Sequence, residues 1–414
     1  MLSWEYPPVM VGGLGRHVYA LSRELARAGH DVVVLSRQPT GTDATTHPTT
    51  DERVDGLRVV RVAEDPPHLE FCERDLVAWV LGLGHALVRA ALTRLGDWRP
   101  EVVHAHDWLV GHAAITLADA WGVPLVATIH ATEAGRHAGW LTTALNRQVH
   151  STEWWLVNRA DAVVTCSAAM RDEVAALFDL DPESITVIPN GITPQRWRVT
   201  RNQVEDTRAR WVPDGEPLLL YVGRLEYEKG VQDLISALPR IRRRHPGTRL
   251  VVAGSGGQRD RLEEHARARR VQRSVTFAGQ LSDEELAALL AAADAVVLPS
   301  RYEPFGLVAL EAVAAGAPLV ASRAGGLGEV VVDGETGVSF APGDIDGLAE
   351  AVGRVLDDPA AAARRARAAR ARLTAAFDWS TIAAQTAAVY ASAKAGGPRE
   401  LGRPAIPSGN VFDR

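Results

Sequence analysis

Lysine is almost absent from this chain. Of its 45 basic residues only Lys229 and Lys394 are lysines, and arginine serves everywhere else. A lysine kept against that bias marks a place where a compact ammonium does what a planar guanidinium does not. Lys394 lies by the C-terminal tail and is read as incidental, which leaves Lys229. Cysteine is as sparse: Cys72 and Cys166 offer neither metal-ligand spacing nor a disulfide framework. There is no run of about 18 uninterrupted apolar residues, and no basic segment leads into a long apolar run at the N-terminus. No transmembrane segment is therefore expected, and a cytoplasmic location is. A net charge of -6 argues against nucleic acid as a partner.

What the chain has is alternation. At 414 residues, 46% apolar and 23% charged, it is globular in composition and long enough for two domains. Short apolar runs at 31–36, 57–62, 102–105, 125–129, 162–165 and 185–188 form a first series, and runs at 218–222, 249–253, 275–278, 295–298 and 319–321 a second. Helical patterns fall between them, as at 16–28, 231–244, 282–292 and 305–315. Near-continuous apolar strands separated by helices predict parallel sheets covered on both faces. The fold class is α/β, with two Rossmann-like, doubly wound domains. The breaker cluster Pro189-Asn190-Gly191 divides them into 1–190 and 191–378, and a polar connector follows at 193–216. A ligand belongs where the C-terminal ends of both sets of strands face a common cleft. Residues 1–4 are too short for a complete first strand, although a glycine turn follows them, so the assigned start is read as truncating it. The segment 396–414, rich in proline and glycine without periodicity, is expected to be disordered.

The stretch from Glu303 through Pro304-Phe305-Gly306-Leu307 to Glu311 carries the most chemistry. An apolar strand feeds a turn that opens a helix, aiming main-chain N–H groups at one point where an anion is welcome. Two carboxylates beside an anion site do not bind the anion; they suit neutral hydroxyls, so the ligand carries phosphate and sugar together. Arg224 and Lys229 flank another strand exit and suit a diphosphate, the guanidinium as a fork and the ammonium as a point charge; the plain alternative is two solvated surface charges. Gly12-Gly13-Leu14-Gly15 precedes an amphipathic helix and permits close backbone approach to a phosphate, or is merely a tight turn. His130 and Glu133 end one strand; His104, His106 and Asp107 end another. Asp107 is read as a sugar contact or as a cap for the next helix, and a metal reading of this group is not favoured. Trp4, Trp108 and Trp140 either stack on sugar faces near the cleft or pack in the core. The arginines of 359–377 are read as a solvated helix face.

Taken together, Gly12-Gly13-Leu14-Gly15, Gly223-Arg224-Leu225 with Glu228-Lys229-Gly230, and Glu303 to Glu311 resemble the retaining glycosyltransferases of family 4, which have the GT-B fold. The resemblance covers nearly the whole chain. Trp4-Glu5-Tyr6-Pro7-Pro8, His104-Ala105-His106-Asp107-Trp108 and the segment from Thr128 to Arg136 are similar to the glycogen-synthase-like actinobacterial branch of that family. The resemblance implies glucose transfer from a nucleoside-diphosphate glucose to the non-reducing end of an α-(1→4)-glucan, in glycogen or methylglucose lipopolysaccharide synthesis. It implies that Arg224 and Lys229 hold the donor diphosphate and that Glu303 binds donor-sugar hydroxyls, with the amides of Phe305, Gly306 and Leu307 nearby. Glu311 would bind the ribose, Gly13 would approach the phosphate, and His130 would lie against the sugar's 6-hydroxyl. Asp107 and Glu133 would contact sugar or acceptor, and main chain near Ser255 and Leu281 would meet the base. The helix at 379–394 would cross back onto the first domain.

One departure stands out. Bacterial glycogen synthases of the related family 5 place a lysine two residues before the glycine pair, where this chain has Met10, so an ADP-glucose preference does not carry over. No metal and no pyridoxal phosphate are expected. Three other readings remain: a family 4 enzyme moving mannose or N-acetylglucosamine to a lipid or small acceptor, a pyridoxal-phosphate-dependent phosphorylase, and a non-catalytic nucleotide-sugar sensor.

Overall fold

The computed structural model describes residues 1–64, 69, 71–212 and 215–397. Of the tail expected at 396–414, only Gly396 and Gly397 fall within them. The first half builds β1 (Val33–Arg37), β2 (Thr50–Val54), β3 (Leu57–Val62), β4 (Val103–His106), β5 (Leu125–Ile129), β6 (Ala162–Thr165) and β7 (Ile185–Val187). β4 to β7 pair in parallel and in chain order. β1 pairs in parallel with β3, which carries β2 as an antiparallel edge. Leu2 joins the two ribbons, bridging Leu35 on one side and Ala105 on the other. Residues 1–3 thus stand between β1 and β4.

The second half builds β8 (Leu218–Val222), β9 (Arg249–Ala253), β10 (Val275–Gly279), β11 (Ala295–Leu298), β12 (Leu319–Ser322) and β13 (Val338–Phe340). They form one parallel sheet in the order β10-β9-β8-β11-β12-β13. Chain direction across the sheet reverses between β8 and β11, and such a switch point leaves a crevice beyond the strand ends. In the first sheet the corresponding reversal lies between Leu2 and β4. Strand residues such as Leu219, Tyr221, Val252, Val297 and Val320 are buried together with Leu234, Leu238 and Val352 from the covering helices. Each such apolar side chain contributes about 1.5–3 kcal/mol on burial.

The Trp379–Gly396 helix returns to the first domain. Trp379, Ile382 and Val389 share an apolar cluster with Val18, Leu21 and Leu25 of the Gly13–Arg27 helix. His104 Nδ1 and the Tyr390 hydroxyl lie 2.7 Å apart. At Gly191, in the breaker cluster, a β-carbon would stand 2.6 Å from the Trp379 ring.

Two strands were not expected. β2 reads Thr-Asp-Glu-Arg-Val and is exposed over most of its length, so it lacks the apolar signal of a buried strand; β13 is only three residues long. Interrupted by His85 and Arg89, the Leu76–Arg94 helix is no unbroken apolar run, yet by length and composition it could cross a membrane, with mean hydropathy 1.6. It packs instead through Trp79, Val80, Leu83, Leu87 and Ala91 into the first domain's core.

Candidate active site between the two sheets

The second domain's switch point brings Lys229 and Glu303 together. Lys229 ends a short turn after β8, Glu303 lies in the loop after β11, and Lys229 Nζ donates to Glu303 Oε2 over 2.9 Å. Ser300 Oγ donates to the same oxygen over 3.2 Å. Both charged side chains are mostly buried, at 16% and 20% exposure. The two loops interlock: Arg301 N–H donates to Glu228 O over 2.7 Å, and a β-carbon on Gly230 would lie 1.9 Å from Pro299 O. Gly230 has φ 71°, so only glycine meets both demands. Arg224 is exposed and reaches Glu228 Oε1 over 3.2 Å. Ser255 accepts the Leu225 N–H through its carbonyl (2.9 Å), while Leu281 is half-buried just before the Ser282 cap of the Asp283–Ala292 helix.

The Leu307–Ala315 helix opens at Gly306, with φ 102°. Phe305 is buried and meets Phe377 edge-on, so its ring belongs to the core. Leu307 faces the first domain: a β-carbon on Gly13 would stand 2.4 Å from Leu307 Cδ1. The glycine turn is organised by a buried carboxylate. Glu5 Oε2 accepts N–H groups of Val11 and Gly12, both at 2.9 Å, and of Gly15 at 3.3 Å. Burial raises the Glu5 carboxyl, and these donors oppose the rise. Gly12 and Gly15 thus spend their N–H groups inside the protein. One turn into the facing helix, buried Glu311 accepts from Arg16 Nη1 over 2.5 Å. Burial pushes its carboxyl up to about 7 against the pull of Arg16.

At the ends of β4 and β5 lies a cluster of neutral histidines. Burial holds His17, His104 and His106 well below the usual imidazole range and His130 at about 4. His106 Nδ1 and His130 Nε2 are 3.2 Å apart. The ligand atoms of His17, His106 and His130 lie within 4.8 Å of one another, so these three are the described residues that could hold a metal ion. Neutral imidazole is the ligating form. Both His17 nitrogens and His106 Nε2 are buried with no hydrogen-bond partner.

Asp107 does not cap the turn that follows it. With φ 63° it directs Oδ1 to the His130 N–H at 2.7 Å, tying the ends of β4 and β5 together, and burial raises its carboxyl to about 6. Glu133 is buried and accepts from Asn146 Nδ2 over 2.7 Å. Trp4 and Trp108 are buried in the core, Trp4 stacked on Phe71, whereas Trp140 is exposed. Sequence reasoning missed Glu5, Arg16 and His17 as site residues. Their one local signal is that they flank the glycine turn.

Comparison with known proteins gives a consistent result. The family model described as "Glycosyltransferase Family 4" matches residues 11–196, and that described as "Glycosyl transferases group 1" matches residues 203–372. The chain is 60% identical over 401 residues to a protein of Mycobacterium tuberculosis named "Glycogen synthase", covering 96% of this chain and 95% of that one. It is 34% identical over 384 residues to a "D-inositol 3-phosphate glycosyltransferase" of Frankia alni, covering 90% and 92%. Among solved structures, a sucrose-phosphate synthase from Thermosynechococcus elongatus superposes with TM-score 0.81 at 28% identity, covering 96% and 98%.

Proposed function

This chain belongs to the family 4 glycosyltransferases and has their GT-B fold, and on that premise we propose that it transfers glucose from UDP- or ADP-glucose, with retention, to the non-reducing end of an α-(1→4)-glucan. The product would serve glycogen or methylglucose lipopolysaccharide synthesis. The observation that carries the reading is the 60% identity to a glycogen synthase along nearly the whole of both chains. That likeness supports a hexosyltransferase of the glycogen-synthase kind acting in glucan synthesis; donor base, linkage and pathway are our proposal.

In this scheme the donor diphosphate lies between Arg224, Lys229 and the N–H groups that open the Leu307–Ala315 helix. Negative charge that develops as the glycosidic bond to phosphate breaks meets cations and dipoles already in place. Such a leaving group needs no strong general acid, so Glu303 and Glu311 are not the acid and nucleophile of a retaining glycosidase. Glu303, held by Lys229 and Ser300, accepts from donor-sugar hydroxyls, and Glu311 accepts from the ribose. The acceptor hydroxyl attacks the face from which the diphosphate departs, and a phosphate oxygen takes its proton. His130, neutral at physiological pH, lies beside the sugar's 6-hydroxyl, with Asp107 holding its backbone. We assign no metal or pyridoxal phosphate to the scheme. In this scheme Lys229 serves the diphosphate and Glu303, and no lysine is assigned to a Schiff base.

A second reading, transfer to a small phosphorylated acceptor, is favoured by the relative named for D-inositol 3-phosphate. One experiment separates the two: UDP-, ADP- and GDP-sugars are each offered with maltooligosaccharides and, separately, with hexose and inositol phosphates. Products are read by mass and by α-glucosidase sensitivity. Extension of maltooligosaccharides by one α-glucosidase-sensitive hexose is the expected result. Turnover confined to phosphorylated monomers would replace the first reading with the second, and no turnover with any pair would leave a nucleotide-sugar sensor.

A further inference from the structure

Arg16 was not expected to take part in the site, yet it reaches a buried carboxylate there from the opposite domain. Its Nη1 donates to Glu311 Oε1 over 2.5 Å, and its Nη2 donates to Asp283 Oδ1 over 3.2 Å. Asp283 Oδ2 is held in turn by Arg196 Nη2 at 3.0 Å. The exposures are unequal: 42% for the Arg16 side chain and 8% for that of Glu311. Among the described residues no hydrogen bond reaches Glu311 Oε2. A cavity of about 350 Å³ opens on this side, lined by Arg16, Arg196, Asp283, Leu307 and Glu311 among others.

We propose that Arg16 is a positioning residue for the donor nucleotide: it holds one oxygen of Glu311 across the cleft, leaves the other for the ribose, and completes that clamp only when the two domains are closed. The proposal rests on Glu311 as the ribose-binding group. A carboxylate accepts a hydroxyl's hydrogen bond about twice as strongly as a neutral acid does. Burial favours the neutral form of a carboxyl, and a cation or a set of hydrogen-bond donors is what restores the charged one. Burial raises the Glu311 carboxyl to about 7 even with Arg16 beside it. The guanidinium therefore decides whether the clamp is charged, and it belongs to the other domain. Nucleotide affinity and domain closure become one equilibrium.

The groups that face Glu311 are Arg16 from the Gly13–Arg27 helix, Asp283 from the Asp283–Ala292 helix and Arg196 from the Pro194–Trp197 turn. Arg372 of the Pro359–Ala376 helix lies against the Leu310 and Val313 side, and Glu329 of the Leu327–Val330 helix accepts from the Ala168 and Ala169 N–H groups. Asp283 raises the Glu311 carboxyl and Arg196 lowers it, but of these three only Arg16 hydrogen-bonds to it.

The test is the pH profile, from pH 6 to 9, of donor KM, kcat and nucleoside diphosphate Kd in wild type, Arg16→Gln, Arg16→Lys and Glu311→Gln. In wild type nucleotide binding should weaken as pH falls through about 7, where the Glu311 carboxyl takes up its proton. Arg16→Gln should raise donor KM about fivefold at pH 7, as a one-unit rise in that carboxyl would, with kcat changed less than about threefold. The gap should all but vanish by pH 9, and Arg16→Lys should recover most of the loss. An increase in KM independent of pH would make Arg16 a mere closure contact and overturn the proposal, as would an unchanged KM. Glu311→Gln should bind nucleotide weakly with a flat profile. Wild-type binding by Glu311→Gln at every pH would sink the ribose assignment itself, whatever Arg16→Gln does.

Discussion

Gly13 of the first domain faces Leu307 of the second so closely that a β-carbon on the glycine would stand 2.4 Å from Leu307 Cδ1. The obstructing atom is the tip of a flexible side chain, and Gly13 is the first residue of its helix. Gly13→Ala should therefore fold with stability unchanged or raised by about 0.4–1 kcal/mol. Its cost falls on the cleft, where the methyl group would narrow the approach to the diphosphate. We expect donor KM to rise about tenfold with no loss in thermal midpoint. A variant with both KM and midpoint of wild type would remove Gly13 from the donor site.

Gly230 presents the opposite case. A β-carbon there would lie 1.9 Å from Pro299 O, a backbone atom, at φ 71°. Neither side can give way without moving the β8 and β11 loops apart. Gly230→Ala should cost at least about 2 kcal/mol, from strain at a special φ and a backbone clash. It should also lower kcat, because the same shift separates Lys229 from Glu303. Urea midpoints at constant slope measure the first effect. A variant as stable as wild type would show that the loops are not interlocked.

These contrasts show where the sequence was legible. β5, β6, β8, β9 and β11 lie where their apolar runs end, because strands buried on both faces carry an unbroken signal. β2 carries a charged, exposed one and was missed. Lys229 and Glu303 could be singled out because each sits in a local motif at a strand end. Arg16 and Glu311 lie 295 positions apart, and their contact exists only once two domains have docked. Glu5 was quoted within a motif but given no role, since its partners are backbone N–H groups, which leave no trace in composition. Trp4 and Trp108 stayed open in the sequence because an indole suits a core and a sugar face equally well; both lie in the core.

Glu153 supplies a pH prediction. Its Oε1 accepts the Glu133 N–H over 2.9 Å, while its buried Oε2 makes no hydrogen bond and lies 3.9 Å from His150 Nδ1, which makes none either. Burial raises its carboxyl from 4.5 to about 8. An acid whose folded value lies above its unfolded one binds more protons in the fold, so its contribution to stability falls as pH rises between the two. Glu153→Gln keeps the acceptor, offers a donor towards His150 and carries no charge. It should match wild type near pH 5 and exceed it by about 1–3 kcal/mol at pH 8. Urea midpoints at the two pH values check this. A constant difference would mean that the carboxyl does not titrate in this window.

The Lys229–Glu303 pair gives the sharpest test of the mechanism. If the ammonium stabilises the departing diphosphate, Lys229→Ala should lower kcat by about 10²–10³, as loss of a charge-stabilising donor does. It also leaves a mostly buried carboxylate with only Ser300 for company. Lys229→Arg keeps the charge but not the shape, and in a site 16% exposed it should be impaired as well; a silent Lys229→Arg would mean the rarity of lysine carried no information here. Glu303→Gln removes the negative charge from the group that accepts from the donor sugar and orients the ammonium, so kcat should fall more than donor KM rises. Because each residue places the other, their losses should not multiply. The double variant Lys229→Ala, Glu303→Gln should lie within about tenfold of the worse single variant. Losses that multiply in full would mean two independent contacts, each with its own claim on the transition state, and the shared clamp would have to be abandoned.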